Sequence, residues 1–248
     1  MKIMTHVVIG YPSIQDTIAI VKTMVSHGVD MIELQIPFSD PIADGSTIMK
    51  ACEISLANGT TVRDSFIVAK KLSEEIRIPL IFMAYFNTVF KYGINRFCKD
   101  AKKAGISGLI VPDMPIDEEQ EEHFYASCKK YHLNNIQVVS PTSTKSRLIK
   151  NVKFATGFLY ATTHQGITGA KDTLDPHFES YLKNLRNFFT IPIAVGFGIS
   201  KKEHIRQLAP YADIAIIGSA IIKVINSSKK GEIEKNVANF IKSLIDER

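Results

Sequence analysis

Short β-like runs and amphipathic helical stretches alternate eight times along this chain, and that alternation limits its fold more than any other feature. Predicted strands cover Val7–Ile9, Met31–Ile36, Leu80–Ala84, Gly108–Val111, Ile136–Val139, Phe158–Ala161, Ile193–Val195 and Ile214–Ile217. Apolar residues recur at helical spacing after them, such as Ile14, Ile18, Val21 and Val25 early on, or Ile233, Val237, Phe240, Ile241 and Leu244 at the end. The 248 residues divide into units of about 31, the arithmetic of an α/β chain closed as a (β/α)8 TIM barrel. No linker or composition break interrupts the pattern, so one domain over 1–248 is expected. A doubly wound open sheet is the alternative. It would carry a phosphate-binding glycine motif after the first strand, where IGYPS stands instead.

Composition narrows the partners. The net charge is +5, but the lysine pairs behind it are scattered from Lys70-Lys71 to Lys229-Lys230, which reads as solvated helix faces and argues against nucleic acid. A mildly positive field still favours an anionic substrate. No apolar run approaches the length that spans a membrane, and no signal-peptide pattern follows Met1, so a soluble, cytoplasmic protein is expected. Cys52, Cys98 and Cys128 have neither metal nor redox spacing, and Cys52 and Cys98 fall on apolar stripes as core fillers. No metal site is expected.

The stretch Met31–Ser46, MIELQIPFSDPIADGS, carries the chemistry. Ile32, Leu34 and Ile36 alternate with Met31, Glu33 and Gln35, so one face of this strand is apolar and the other bears a carboxylate and an amide. Pro37 ends the strand, and the loop beyond it holds Asp40 and Asp44. Active sites of such barrels are built from the loops at the carboxyl ends of the strands. An inward Glu is costly to bury unless it is paired or employed. The structural alternative is an ion-paired Glu33 with a helix-capping Asp40 or Asp44.

Two late loops are glycine-rich, Gly196-Phe197-Gly198 after the seventh strand and Gly218-Ser219 after the eighth. Gly218-Ser219 also opens a predicted helix, whose free N–H groups suit an anion, and this is the usual phosphate position of the fold. Phe82, Tyr85 and Tyr160 are available at strand ends to line a flat apolar pocket, or else belong to the barrel core. His6 and His164 fall at strand ends, whereas His27, His123, His132, His177 and His204 read as surface residues. With no defensible Ser/His/Asp set and no strand-end Lys, what remains is carboxylate acid–base chemistry on a phosphorylated substrate.

ELQIPFSDPIADGS resembles the signature of the tryptophan synthase α-subunit family, ELGxPFSDPxADGP. The resemblance runs on through AYFNTVFKYG, LIVPDMP, GFLYATTHQGITGA, VGFGIS and IGSAII, in the right order and units. It implies a lyase that cleaves indole-3-glycerol phosphate to indole and glyceraldehyde 3-phosphate in L-tryptophan biosynthesis. It also implies a partner β subunit in an αββα assembly, with pyridoxal phosphate in that partner and no cofactor in this chain. By motif position, Glu33 is the general acid/base at the indole C3 side, and Asp44 bonds the indole N–H. Thr168 meets Asp44 on loop closure and Gly169 begins the lid. Phe197, Gly198, Gly218 and Ser219 hold the phosphate, while Tyr85 and Tyr160 flank the indole. Asp40, Pro41, Asp113 and Pro115 lie toward the partner. A strand-borne Glu33 should be desolvated, and a loop-borne Asp44 should sit nearer solvent and stay ionised.

The chain departs from the family pattern around this pocket. Gln35 stands at the usual Gly, where it either bonds Glu33 or takes up substrate space. Ser46 replaces a Pro, His6 stands where an aromatic is usual, and His164-Gln165 is unusual in the mobile loop. The N-terminal helix that often caps the barrel floor is expected to be lacking. A second function class is therefore a catalytically weakened, regulatory α subunit that activates the β subunit. A third is another phosphosugar barrel, an isomerase or an indole-glycerol-phosphate synthase, against which the ordered motifs argue.

Overall fold

The computed structural model describes residues 1–114, 116–162, 177–196 and 198–245. Its strands are β1 (Lys2–Val8), β2 (Met31–Gln35), β3 (Leu80–Met83), β4 (Gly108–Ile110), β5 (Asn134–Ile136), β6 (Val138–Val139), β7 (Leu159–Thr162), β8 (Ile193–Gly196) and β9 (Ile214–Ile217). All pairings are parallel, in the order β5-β4-β3-β2-β1-β9-β8-β7-β6. β5 and β6 are two halves of one strand on either side of Gln137, the first bonded to β4 and the second to β7. The Gln137 carbonyl still accepts the Tyr160 N–H at 2.9 Å, so the ladder is continuous and the sheet closes as an eight-stranded barrel.

Strand parity sorts the side chains into two apolar layers. Met4, Met31, Ile81, Met83, Ile110, Ile136, Phe158, Ala194, Ile214 and Ile216 point inward and fill the barrel. Val7, Ile32, Leu34, Leu80, Phe82, Leu109, Leu159, Ile193, Val195 and Ala215 point outward and pack beneath the helices. Phe82 therefore does not line a pocket. Its ring meets Phe66 edge-on at 5.5 Å and Phe97 at 6.3 Å in the outer layer. Cys52, Cys98 and Cys128 are all buried fillers.

The strands match the expected positions, with two informative differences. β1 starts five residues earlier than predicted because Met4 and His6 continue the inward parity, although the polar Thr5 and His6 interrupt the apolar run. β5 starts at Asn134, a residue type depleted in strands, and Asn135 is held by bonds to Thr156 Oγ1 and the Phe154 carbonyl. The acidic run Asp117–Glu122 forms a 3-10 turn, Ile116–Glu118, then a short helix, Glu119–Glu122. His123, at φ 54°, separates these from the helix Phe124–Lys130, whose Tyr125 and Ala126 N–H groups are capped by the Glu119 carboxylate.

Capping follows the sequence closely. Ser13 Oγ accepts the Asp16 N–H at 3.0 Å to start the helix Ile14–Ser26. Thr61 and Asp64 form a reciprocal capping box on the helix Val62–Glu75. Among the described residues, no helix is long and apolar enough to cross a membrane.

The outer layer predicts a sharp contrast between two phenylalanines. Phe97, fully buried, is expected to cost about 3–5 kcal/mol as Phe97→Ala. Phe90, 52% exposed, is expected to change urea-unfolding stability by about 0.5 kcal/mol or less as Phe90→Ala.

Candidate active site

The site begins with the β1–β2 register, which sets His6 level with Glu33 and Val8 level with Gln35. Residues 6, 33 and 35 all project into the barrel, so an imidazole and a carboxylate become cross-strand neighbours. His6 Nδ1 lies 3.2 Å from Glu33 Oε1, with both side chains almost fully buried. Burial alone would lower the His6 pKa. The Glu33 charge and hydrogen bond, with smaller contributions from Asp44 and Gln35, outweigh it and raise the imidazole above its ordinary 6.5. Glu33 Oε2 and His6 Nε2 have no hydrogen-bond partner among the described residues.

The loop after β2 brings in the second acid. Pro37 ends the strand, and Asp44 N–H bonds back to the Pro41 carbonyl at 2.9 Å, folding the loop over the barrel mouth. Asp44 is only 6% exposed, so it does not sit nearer solvent as expected. Its Oδ2 accepts from Gln35 Nε2 at 2.6 Å and from Tyr85 Oη at 2.9 Å. Burial pushes its carboxyl pKa up, while the His6 charge and the bonds from Gln35 and Tyr85 hold it down. Gln35 thus supports Asp44. It makes no bond to Glu33 and does not line the cavity.

Tyr85 also takes a structural role. Its hydroxyl accepts the Ala43 N–H at 3.0 Å and its ring stacks on Phe38 at 5.1 Å. It ties the Asp44 loop to the end of β3 and is absent from the cavity lining. Burial and the Asp44 charge push its phenol far up. Tyr160 does face the cavity, and burial with the Glu33 and Asp44 charges keeps its hydroxyl protonated well above the ordinary range. Glycine at 196 permits this position, because a Cβ there would lie 2.8 Å from the Tyr160 oxygen.

The cavity is polar at one side and apolar across its walls. His6, Glu33 and Asp44 form the polar side. Met83, Ile110, Val138 and Ile216 supply walls that sequence reasoning did not single out, although inward parity identifies each of them. Gly196, Gly198, Gly218 and Ser219 complete the lining, with Gly218 beside the His6 ring. There the helix Ser219–Ser227 begins at Gly218 with no side-chain cap, leaving its first N–H groups and dipole for an anion. The described lining includes no Lys or Arg, and no group of three or more potential metal ligands occurs among the described residues.

The remaining expected site residues separate. Asp40 is exposed, but Pro41 is buried within its own chain, so the exposed neighbour Ile42 presents the apolar surface there. Asp113 is half-buried and accepts the Phe86 N–H at 2.8 Å, which joins the loops after β3 and β4. His204, expected at the surface, is buried. Pro115, His164, Gln165, Thr168, Gly169 and Phe197 lie outside the described residues.

Because burial raises the Asp44 pKa, the native state holds this proton more tightly than the unfolded chain does. The associated stability is complete below the ordinary carboxylate value of 3.8 and is lost as pH rises through the native pKa. Asp44→Asn is therefore expected to raise the urea midpoint at pH 7 relative to the parent, and the gain should shrink toward pH 4.

The sequence model of the family described as Tryptophan synthase alpha chain matches residues 1–246. The tryptophan synthase alpha chain of Desulfotalea psychrophila is 45% identical over 242 residues, covering 98% of this chain and 93% of that one. The Petrotoga mobilis alpha chain is 40% identical over 244 residues, covering 98% and 94%. Among solved structures, a chain of the Pyrococcus furiosus tryptophan synthase a2b2 complex superposes with a TM-score of 0.91 at 28% identity, covering 98% of this chain and 97% of that one. Mycobacterium tuberculosis tryptophan synthase gives 0.89 at 31% identity, covering 98% and 90%. With the same barrel and a family match along nearly its whole length, this chain belongs to the tryptophan synthase alpha chain family.

Proposed function

We propose that Glu33 and Asp44 perform the reaction of this chain, the cleavage of indole-3-glycerol phosphate to indole and glyceraldehyde 3-phosphate in L-tryptophan biosynthesis. The observation that carries the residue assignment is the meeting of these two carboxylates in an apolar-walled cavity that is also bordered by the N-terminus of a helix with no side-chain cap. The indole ring occupies the apolar part between Met83, Ile110 and Tyr160. The phosphate lies at Gly198, Gly218 and Ser219, together with Phe197.

Glu33 delivers a proton to the ring carbon that bears the glycerol chain. The ring nitrogen then carries positive charge, and Asp44 accepts a hydrogen bond from its N–H and stabilises that charge. Glu33, now a carboxylate, takes the proton of the adjacent hydroxyl. The carbon–carbon bond breaks, its electron pair neutralises the ring as indole, and the hydroxyl carbon becomes the aldehyde. Protons balance, because the one lost by the hydroxyl replaces the one given to the ring. Gln35 and Tyr85 both bond the same oxygen of Asp44, which leaves Oδ1 for the substrate.

The partner is a tryptophan synthase β subunit, to which indole passes, and the pyridoxal phosphate of the assembly belongs there. Asp40, Asp113 and Pro115 lie on the loops that face it. Ile42, 78% exposed, and Phe90, 52% exposed, add apolar surface of the kind a partner covers. Thr168 and Gly169 serve the loop that closes over the site. The αββα assembly works in the cytoplasm. The reading of a weakened regulatory subunit rests on Gln35 and His6 intruding on the pocket; Gln35 bonds Asp44 and lies outside the lining, while His6 lies within it.

Glu33→Gln is expected to lower kcat about 10²–10⁴-fold in the complex with a β subunit, measured as glyceraldehyde 3-phosphate release. Asp44→Asn should lose about 10²-fold. Unchanged turnover in a folded Glu33→Gln variant would remove Glu33 from the mechanism.

A further inference from the structure

We propose that His6 is a positioning residue of this lyase, fixing one oxygen of Glu33 so that the working acid–base group is a His6–Glu33 pair. The proposal rests on the lyase reading above and concerns a residue for which that reading has no role. Three observations carry it. The register of β1 and β2 makes the two residues direct cross-strand neighbours on the inner face. His6 Nδ1 is 3.2 Å from Glu33 Oε1, while Oε2 has no partner among the described residues and remains for the substrate. The Glu33 side chain has no other hydrogen-bonding neighbour among the described residues, so His6 alone restrains its carboxylate.

Charge favours the same arrangement. The groups facing His6 are Glu33 on β2, Asp44 on the following loop, the neutral amide of Gln35, and Gly218 beyond β9. Tyr160 on β7 shares the same field. Two carboxylates and no Lys or Arg surround the cavity, so His6 is the only side chain of the described lining able to supply positive charge. Its raised pKa keeps the imidazole charged to higher pH than an ordinary histidine allows, ready for the carboxylate that Glu33 becomes once it has protonated the ring. A protonated Nδ1 donates to Oε1, orients the carboxylate plane and stabilises its charge before it receives the hydroxyl proton. As pH rises through the His6 pKa, that charge is lost.

The test uses the complete αβ assembly and three variants. His6→Phe keeps a planar ring and removes both donor and charge. His6→Asn keeps a donor but cannot titrate. In the parent, kcat for indole-3-glycerol phosphate cleavage is expected to fall on an alkaline limb above pH 6.5. In His6→Phe, kcat should drop about 10²-fold with KM little changed, and the limb should vanish. His6→Asn should recover part of kcat, still without the limb, a pattern that mere packing does not produce. Separately, imidazole NMR titration of His6 should shift to lower pH in Glu33→Gln. Parent-like kcat and pH profile in both His6 variants would overturn the proposal, as would a His6 titration unmoved by Glu33→Gln. A parent complex with no turnover would overturn the lyase reading and this role with it. The NMR shift would then still report whether the pair exists, so the two failures are distinguishable.

Discussion

Two carboxylates are buried in one barrel mouth whose described lining offers no lysine or arginine, and the arrangement around them follows from that constraint. A buried carboxylate is tolerated only when its lost hydration is replaced. Here the replacement is divided. Glu33 receives a titratable imidazole, and Asp44 receives two neutral donors, the Gln35 amide and the Tyr85 hydroxyl. Leaving a buried polar group without its hydrogen-bond partner typically costs about 1–3 kcal/mol and more for a charged one, so these contacts bear on folding as well as on chemistry.

The division also separates the two acids in kind. Asp44 is held by uncharged groups on β2 and just beyond β3, which fixes its position whatever the pH near neutrality. Glu33 is held by a titratable group, whose pKa the Glu33 charge raises above the ordinary 6.5 against the opposing effect of burial. His6 and Gln35 therefore serve different acids. An amide supports the acid on the loop, and an imidazole supports the acid on the strand. The pocket stays open because Gln35 turns toward Asp44 and glycine at 196 makes room for Tyr160.

Much of this was legible from parity alone. Glu33 faces inward because Ile32, Leu34 and Ile36 face outward, and the same count places Met83, Ile110 and Ile216 in the cavity wall. Parity also separates Phe82, on the outer face, from Tyr85 beyond the strand's end. Of the two readings open for Phe82, pocket wall or core, parity selects the core. The role of Tyr85 was less accessible. Its hydroxyl acts on a loop 41 residues away, and no local pattern reveals such a contact. Burial of Asp44, Pro41 and His204 was hidden for the same reason, since loops and helix flanks are buried by what packs over them.

The sequence by itself determined the eight repeats, the closed parallel barrel, the inward Glu33, the loop-borne Asp44 and the glycine-rich loops at the mouth. These follow from local periodicity and from motifs whose residues are close in the chain. Only the tertiary structure decided which group partners which acid. His6 meets Glu33 through the β1–β2 register, across 27 residues, and Gln35 chooses Asp44 over Glu33 because the loop folds back above its amide. Those choices depend on distances of a few ångströms between separate segments, which periodicity does not encode.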